Sequence, residues 1–436
     1  MKILILGAGG REHTFCWKLS QSKLCTQLFI APGNAGTGQF GINIDMGIND
    51  FEAIKEFCIS YKIEMVAVGP EEPLVYGIYD FFKNDELLNH IIITGPSLQG
   101  AQLEGSKAFS KKFMKNHQIP TARYREFNAE NFEEGVAYIR NHTLPIVLKA
   151  DGLAAGKGVI ICKDHTEAVT EFALIIQQSK FGSAGNKVVI EEFLDGLELS
   201  VFILTDGKNY VLLPEAKDYK KIGEGDTGLN TGGMGAISPV PFATDHFMKL
   251  VVEKIIEPTV EGLQKDGIDY RGFIFFGLIK VNEEPMVIEY NCRMGDPETE
   301  VVMLRLKNDL VELLIDMDRQ KLNKHKIEIE ENNAATIVAV SGGYPGEYEK
   351  GFPIKFGYLE NPQAIKHIGN EGGVMVFHAG TKQIDNEVVT NGGRVLAVSA
   401  MAGTLAETIE LSKEILDQIH FEGIYYRGDI GYEFVE

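Results

Sequence analysis

The first hundred residues alternate short apolar runs with segments of helical periodicity, and this alternation limits the folds open to the chain. Four runs are typical of buried strands, KILIL, QLFI, EMVAV and IIIT, and each leads into a turn with glycine or proline, GAGG, APGN, VGPE or TGPS. Strands that alternate with helices form parallel sheets, whose ligand-binding loops gather at the carboxyl ends of the strands. The sequence therefore predicts an N-terminal βαβ domain with these four turns along one edge.

The pattern changes after this region. A helix is predicted over residues 106–117, followed by strands PIVLKA, GVIICK and KVVIEEFL and a helix near residues 167–178. Strands ELSVFILTD, GFIFFGLIKV and PMVIEYN and a helix over residues 244–265 come next, whereas residues 217–237 lack periodicity and are predicted as a long functional loop. Strands ATIVAVS, GVMVFHAG and RVLAVSA and a helix over residues 404–420 indicate a smaller C-terminal α+β domain. With 436 residues, the chain is too long for one hydrophobic core.

Charge and cysteine content limit the partners and the compartment. A net charge of −20 argues against nucleic acid or an anionic membrane as a partner, although a local group of lysines and arginines can still hold a small anionic substrate. The five cysteines form no C-x-x-C pair and suit a reducing environment, so we expect a cytoplasmic protein. The sequence shows no signal peptide and no apolar stretch of membrane-spanning length. We expect a monomer or a weak homodimer.

The first candidate site is GAGGREH, residues 7–13, between a strand and a helix. The third glycine of a dinucleotide fingerprint is replaced by Glu12, and the next strand lacks an acidic residue for a ribose, so NAD binding is disfavoured. Two interpretations remain open. The main-chain amides at the start of the helix could face an anion, or the segment could be a simple tight turn.

The second candidate is KADGLAAGKGV, residues 149–159, in which several glycines and two lysines surround a turn between strands. Small residues let main-chain N–H groups approach phosphate oxygens, and lysine adds positive charge. The segment is not a Walker A motif, because it is one residue too short and precedes a strand rather than a helix. A plain hairpin would rarely need this composition, so the pattern favours phosphate binding.

The third candidate is VVIEEFLDGLELS, residues 188–200, where a buried strand runs into two carboxylates and an apolar pair. The main chain at a strand end can meet the edge of an adenine, and Glu198 could accept hydrogen bonds from a ribose. The alternative is that Glu191 and Glu192 are ordinary charges at the edge of a sheet.

The fourth candidate is VIEYNCRMGDPETE, residues 287–300. Residues two apart on a strand share a face, so Glu289, Asn291 and Arg293 should project together. A carboxylate and an amide oxygen suit Mg²⁺, which completes its coordination with phosphate oxygens and water. Arg293 adds a planar group that can pair with a phosphate. A polar edge strand is the alternative, but the apolar residues before Glu289 indicate a buried strand.

These pieces, in this order, resemble the glycinamide ribonucleotide synthetase family of ATP-grasp ligases over essentially the whole chain. The motifs that carry the resemblance are GREH, APGNAGT, VGPEEPLV, QLEGSKAF, KADGLAAGKGV, IEEFLDG, DTGLNTGGMGA, IEYNCRMGDPET, SGGYPG, VFHAGT and TNGGRVLAV. The resemblance implies a multidomain α/β protein in which a central ATP-grasp fold of two α+β lobes lies between the N-terminal βαβ domain and the C-terminal domain. The implied bounds are 1–104, 105–190 for the small lobe with its linker helix, 191–328 for the large lobe, and 329–436.

The resemblance also implies roles for residues at matching positions. The implied nucleotide contacts are Lys107, Lys149, Gly152, Gly156, Lys157 and Gly158 at the phosphates, Glu191, Phe193 and Leu194 at adenine, and Glu198 at ribose. The implied catalytic residues of the cleft are Lys149, Asp218, Lys220, Arg293, Asp296 and Glu298. The residues implied to face 5-phosphoribosylamine are Gly10, Arg11, Asn34 and Glu71. Glu289 and Asn291 would hold Mg²⁺ or Mn²⁺.

The chain departs from the family pattern at a few positions. Tyr219 stands where we expect His, Leu229 where we expect Pro, and Met294 where Phe is commoner. Many ATP-grasp enzymes carry a second acidic ligand twelve residues before the position of Glu289, and this chain has Gly277 there. These departures concern the contacts to glycine and the number of protein ligands to the metal.

The implied reaction joins glycine to 5-phosphoribosylamine with ATP. Glycine's carboxylate would attack the γ-phosphorus to give glycyl phosphate and ADP, and the amine would then displace phosphate. Two alternatives remain open: another ATP-grasp carboxylate–amine ligase, or a nucleotide-binding protein without turnover. The N- and C-terminal motifs argue against the first, and the joint presence of Lys149, Glu289, Asn291 and Arg293 argues against the second.

Overall fold

The structure, a computed structural model, describes residues 1–153, 158–178, 180–357 and 373–435. Gly156 and Lys157, two of the predicted phosphate contacts, lie outside these ranges. Within them, no helix is both long and apolar enough to cross a membrane.

The N-terminal region forms the predicted parallel βαβ sheet. Its strands have the order β5-β4-β1-β2-β3 and all pair in parallel. They are β1 (Lys2–Gly7), β2 (Gln27–Pro32), β3 (Ile42–Asn43), β4 (Met65–Val68) and β5 (Ile92–Pro96). The helices are α1 (Gly10–Ser20), α2 (Phe51–Tyr61), α3 (Glu71–Val75), α4 (Ile78–Asn84) and α5 (Leu98–Gly105). The turns that follow β1, β2, β4 and β5 therefore share one edge of the sheet.

A separate four-stranded antiparallel sheet has the order β6-β9-β7-β8. Its strands are β6 (Tyr124–Asn128), β7 (Ile146–Ala150), β8 (Val159–Cys162) and β9 (Lys187–Glu192), and its helices are α7 (Phe132–Arg140) and α8 (His165–Gln177). Phe127, Phe172 and Ile190 lie in their common core.

The predicted helices near residues 106–117 and 167–178 are confirmed, the first as α6 (Lys107–Asn116). Because β9 continues through Glu192, the predicted boundary after residue 190 falls within a strand, and the lobe bounds stay a prediction.

The third region contains a long antiparallel hairpin of β16 (Tyr270–Val281) and β17 (Glu284–Asn291). Two further strands, β10 (Leu197–Thr205) and β11 (Tyr210–Leu212), pair antiparallel with each other, and β10 also pairs with β16. The first residues of β16 also pair with β5, Tyr270 with Pro96 and Arg271 with Gly95, which makes one nine-stranded sheet. A side chain at Gly272 would place Cβ 2.8 Å from the main-chain nitrogen of Gly95, so this junction requires glycine.

The same region contains four helices. They are α9 (Asp245–Val251), α10 (Glu257–Lys265), α11 (Glu298–Arg305) and α12 (Leu310–Asp318). A π-helical turn, Val252–Ile256, connects α9 to α10 without a break, and the Thr244 hydroxyl caps α9, so the predicted helix over residues 244–265 is confirmed.

The segment predicted as a loop, residues 217–237, forms strands instead. They are β12 (Lys217–Asp218), β13 (Lys221–Gly223), β14 (Thr227–Asn230) and β15 (Gly235–Ser238). The prediction was wrong because each strand has only two to four residues and glycine interrupts the apolar alternation. β12 and β15 extend the sheet of the C-terminal region, which also contains β18 (Asn333–Val340), β19 (Gly373–His378) and β22 (Arg394–Ala402), in the order β12-β15-β18-β22-β19.

The C-terminal region otherwise follows the prediction. It contains β18 (Asn333–Val340), β19 (Gly373–His378), β22 (Arg394–Ala402) and α13 (Leu405–Leu416), with a hairpin of β20 (Thr381–Ile384) and β21 (Glu387–Thr390) that the sequence did not reveal. Short 3₁₀ turns occupy Thr37–Gln39, Gly182–Asn186, Glu224–Asp226 and Leu322–Lys324.

Candidate functional site

Asp296 lies where the N-terminal, central and C-terminal regions meet. One carboxylate oxygen, Oδ2, accepts a hydrogen bond from the main-chain N–H of Arg11 in the first turn of α1 at 3.3 Å. The other, Oδ1, is 3.0 Å from Nη1 of Arg394, at the start of β22. Burial favours a higher pKa for Asp296, but Arg394 and Arg11 outweigh it and hold the pKa below its ordinary value. Asp296 is therefore ionised and connects the three regions.

The C-terminal region contributes directly to this junction. Arg394 Nη1 also donates to the carbonyls of Gly232 at 2.7 Å and Asp296 at 2.6 Å, and the Tyr344 hydroxyl accepts from the Gly232 N–H at 2.9 Å. The local sequence does not mark Arg394 or Tyr344 as site residues, because their motifs, TNGGRV and SGGYPG, carry only the family resemblance.

Arg293 is fixed by carboxylates from the N-terminal region. Its Nη2 donates to Glu104 Oε1 at 2.8 Å, and its Nε is 3.5 Å from Glu71 Oε2. The second oxygen of Glu104 accepts from the Cys292 N–H at 2.8 Å. Burial alone would lower the pKa of Arg293, but Glu104 and Glu71 raise it. Glu104 is a further site residue that the sequence analysis did not select.

The loops predicted to face 5-phosphoribosylamine are bound to neighbouring main chain. The Asn34 amide donates to the carbonyls of Ala8 at 2.9 Å and His378 at 2.7 Å, and its Oδ1 accepts from the N–H groups of Gly36 and Thr37. Asn34 thus holds the loop after β2 against the N- and C-terminal regions. A direct contact between Asn34 and substrate stays a prediction.

The first turn of α1 is also occupied by carboxylates. The Gly9 N–H donates to Glu12 Oε2 at 2.6 Å, and Arg11 Nε donates to Glu12 Oε1 at 2.6 Å. Arg11 Nη1 donates to the Met294 carbonyl at 3.1 Å. A Cβ at Gly10 would lie 2.3 Å from Glu300 Oε1, so a larger residue here would displace the Glu300 carboxyl group. These contacts explain the local turn, and the predicted contact of Gly10 and Arg11 with a substrate remains open.

Asp218 and Lys220 lie on one side of the chain around β12, and Tyr219 lies on the other. Lys220 Nζ is 3.0 Å from Glu198 Oε2 and 3.9 Å from Asp218 Oδ1. Tyr219 is buried in the C-terminal core, and its hydroxyl donates to Glu433 at 2.7 Å. The departure at Tyr219 therefore concerns packing of the C-terminal region. Of the other two residues that depart from the family pattern, Met294 lies in the hydrophobic core and Leu229 is exposed.

Glu298 is a buried carboxyl close to this cluster. Its Oε1 accepts from the Ser200 hydroxyl at 3.1 Å. Burial and then the nearby negative charge of Asp218 raise the pKa of Glu298 to about 7. A carboxyl with this pKa can exchange a proton near neutral pH.

Glu289 and Asn291 form the candidate metal position. Tyr290 points into the hydrophobic core, and its half-buried neighbours Glu289 and Asn291 share the opposite face of β17. Among the described residues, neither side chain has a protein hydrogen-bond partner, which leaves both oxygens available to a cation. Gly277 is directly opposite Glu289, and a Cβ there would lie 3.1 Å from Glu289 Cγ. The described residues include no group of three or more His, Cys, Asp or Glu side chains arranged for a metal.

The predicted nucleotide residues lie around the end of β7. Lys107 Nζ donates to the Gly152 carbonyl at 2.9 Å, and Gly158 pairs with Ala150 across the turn, whose N–H donates to the Gly158 carbonyl at 2.8 Å. Lys149 Nζ is 3.1 Å from Glu191 Oε2, and Lys111 Nζ is 3.0 Å from the same oxygen. Lys111 was not predicted.

The two apolar residues predicted at adenine follow the end of β9. Phe193 is 39% exposed, and Leu194 is half-buried. The structure thus brings Lys107, Gly152 and Gly158 together around one turn, with Phe193 and Leu194 one strand away from Lys149.

Comparisons with known proteins show the family to which this chain is similar. Family models described as the N, ATP-grasp (A) and C domains of phosphoribosylglycinamide synthetase match residues 1–104, 105–299 and 334–433. The chain is 45% identical to phosphoribosylamine–glycine ligase of Escherichia coli (strain K12) and 44% identical to that of Vibrio cholerae, over 100% of this chain and 99% of each relative.

Solved structures give the same fold. A crystal structure of phosphoribosylamine–glycine ligase from Thermotoga maritima is 34% identical with a TM-score of 0.81, and the match covers 98% of this chain and all of that one. A biotin carboxylase domain from Hydrogenobacter thermophilus, 17% identical, has a TM-score of 0.70 over 98% of this chain and 91% of that one, and this likeness concerns the fold alone. The fold is that of an ATP-grasp protein. The chain belongs to the phosphoribosylglycinamide synthetase family.

The contact between Glu104 and Arg293 gives a test of the site. In Glu104→Gln, the Cys292 N–H keeps an acceptor, but Arg293 loses its closest negative partner. We expect a folded protein whose kcat falls about 10- to 100-fold because Arg293 is no longer held in one position. Steady-state ADP release would measure this. Glu130→Gln, an exposed change, is the control, and wild-type turnover by Glu104→Gln would show that this pair does not orient the site.

Proposed function

We propose that this chain joins glycine to 5-phosphoribosylamine with ATP, through glycyl phosphate, and gives glycinamide ribonucleotide, ADP and phosphate. Full-length similarity to phosphoribosylamine–glycine ligases supports this function. The observation that carries it is the junction at Asp296, whose carboxylate contacts both the first turn of α1 and Arg394 of the C-terminal region. We also propose a cytoplasmic location and a monomer or weak homodimer.

We assign ATP to the space between the small sheet and the large sheet. Lys107 and Lys149 would hold its phosphates together with the glycines at 152 and 158, and with Gly156 and Lys157 outside the described residues. Adenine would lie against the apolar pair Phe193 and Leu194 and be held also by Glu191. Glu198 would accept hydrogen bonds from the ribose hydroxyls. The exposed side chain of Phe193 and the short distance from Lys149 to Glu191 support this assignment.

The family uses ATP with a divalent metal ion. Glu289 and Asn291 would hold Mg²⁺ or Mn²⁺ on this chain, because their oxygens share one face and lack protein partners among the described residues. When bound, such an ion neutralises phosphate charge.

The chain's own residues would place and neutralise the reacting groups. Arg293 and Lys220 provide positive charge for the carboxylate of glycine and for the acyl phosphate that it becomes. The amine of phosphoribosylamine loses a proton as it attacks the acyl carbon. Glu298 can accept this proton, since the pKa of this carboxyl is about 7. Asp218 and Asp296 would orient the two substrates, and no residue needs to act as a nucleophile.

Full turnover should need both substrates, because the first step activates glycine and the second step consumes the activated form. We expect ADP release to fall to background when either glycine or freshly prepared phosphoribosylamine is omitted. Parallel assays with alanine or bicarbonate in place of glycine serve as controls. Equal rates with either replacement would contradict the assignment of glycine as the substrate.

The two proposed metal ligands should differ in importance. Glu289→Ala removes a negative charge, and we expect a loss of about 2–4 kcal/mol, or about one and a half to three decades in rate, with a higher requirement for Mg²⁺. Asn291→Ala should cost less because water can replace a neutral amide oxygen. A magnesium titration of ADP release would compare both with the wild type and with Glu283→Ala, a control in the turn before β17. Wild-type rate and magnesium dependence in Glu289→Ala would place the metal elsewhere.

A further inference from the structure

Two buried lysines share one carboxylate oxygen beneath the proposed nucleotide site. Glu191, Lys111 and Lys149 are only 3%, 2% and 4% exposed. Oε2 of Glu191 is 3.0 Å from Nζ of Lys111 and 3.1 Å from Nζ of Lys149. Oε1 of Glu191 is also buried and has no hydrogen-bond partner among the described residues. One negative charge therefore balances two cations.

The remaining contacts of the two lysines differ. Lys111, on α6, donates to the Thr121 hydroxyl at 2.7 Å, and that hydroxyl donates to the Val287 carbonyl at 2.7 Å. Lys149, on β7, donates to the Ile288 carbonyl at 3.0 Å and lies next to the glycine-rich turn. Lys111 is thus held by the Thr121 hydroxyl, which is itself hydrogen-bonded to the main chain. Lys149, in contrast, lies beside the turn at which we propose that the nucleotide phosphates bind.

We propose that Lys111 is a positioning residue that stays with Glu191 as its permanent counter-charge, so that Lys149 can leave this carboxylate for the nucleotide phosphates. This inference rests on the proposed function, which places ATP at Lys149. A buried carboxylate that loses its last cation is strongly disfavoured. With Lys111 in place, Glu191 keeps one partner on Oε2, and Oε1 remains available to accept from the nucleotide.

The proposal has a consequence for protons. Burial, together with the positive charge of Lys149, lowers the pKa of Lys111 to about 8, whereas the carboxylates of Glu191 and Glu192 act in the opposite direction. The ring of Tyr124 also faces this group, with its centroid 5.7 Å from Lys111 Nζ. At pH 8.5 the Lys111 amine is therefore neutral in a fraction of the protein molecules before the nucleotide binds. Departure of Lys149 removes a repelling charge and raises the pKa of Lys111, so binding should take up protons. The affinity for nucleotide should fall as the pH rises through 8.

The test is calorimetric binding of a non-hydrolysable ATP analogue with Mg²⁺ to the full chain at pH 8.5, in two buffers with different enthalpies of ionisation. We expect proton uptake by the wild type. Lys111→Met should bind at least about tenfold more weakly and take up no proton. Lys111→Arg should retain affinity without proton uptake, because arginine stays charged. Lys112→Met, an exposed change on the same helix, should match the wild type.

The outcomes separate this inference from the proposed function. If the wild type binds the analogue and Lys111→Met binds equally well with the same proton uptake, the role of Lys111 is wrong and the nucleotide site stands. If Lys111→Met does not fold, Lys111→Arg decides, and proton uptake equal to that of the wild type would overturn the role. If the wild type does not bind the analogue, both the function and the role of Lys111 fail.

Discussion

The shared carboxylate of Asp296 is the contact on which the arrangement of the cleft depends. It bonds the first turn of α1 on one side and Arg394 on the other, while Arg394 holds the carbonyl of Gly232. Without Asp296, the N-terminal helix and β22 would lose their common partner, whereas Gly232 would keep its contacts with Arg394 and Tyr344. The pairing of β16 with β5 adds a second connection, since it joins the N-terminal strands and the β10, β11, β16 and β17 strands into one sheet.

Most cations of the cleft already have carboxylate partners in the protein. Arg293 is paired with Glu104, Lys220 with Glu198, and Lys149 with Glu191. An anionic substrate bound at the proposed site would therefore share or replace these partners, and the energy of the exchange would depend on what remains with each buried carboxylate. Groups held in place before substrate arrives need little reorganisation during reaction, which is the usual source of electrostatic catalysis.

The sequence predicted the parts of this structure that depend on local patterns. The parallel N-terminal strands, the hairpin of β16 and β17 and most helices follow from periodicity and turn residues. It did not predict Glu104 or Lys111 as site residues, because the residues that they contact are distant in the chain. Glu104 and its partner Arg293, for example, are 189 positions apart. The short strands between residues 217 and 237 were also missed, since their pairing with β18 and with one another is set by tertiary contacts. Tyr219 departs from the family pattern but faces the C-terminal core, which alternation along β12 could have indicated.

The passage of glycine through an acyl phosphate is tested most directly with oxygen isotopes. Glycine labelled with ¹⁸O in both carboxylate oxygens would be incubated with ATP, Mg²⁺ and phosphoribosylamine, and the released phosphate analysed by mass spectrometry. Attack of the carboxylate on the γ-phosphorus transfers one labelled oxygen, so each phosphate should carry one ¹⁸O and the product amide should keep the other. Unlabelled phosphate, formed together with labelled product, would contradict glycyl phosphate as the intermediate.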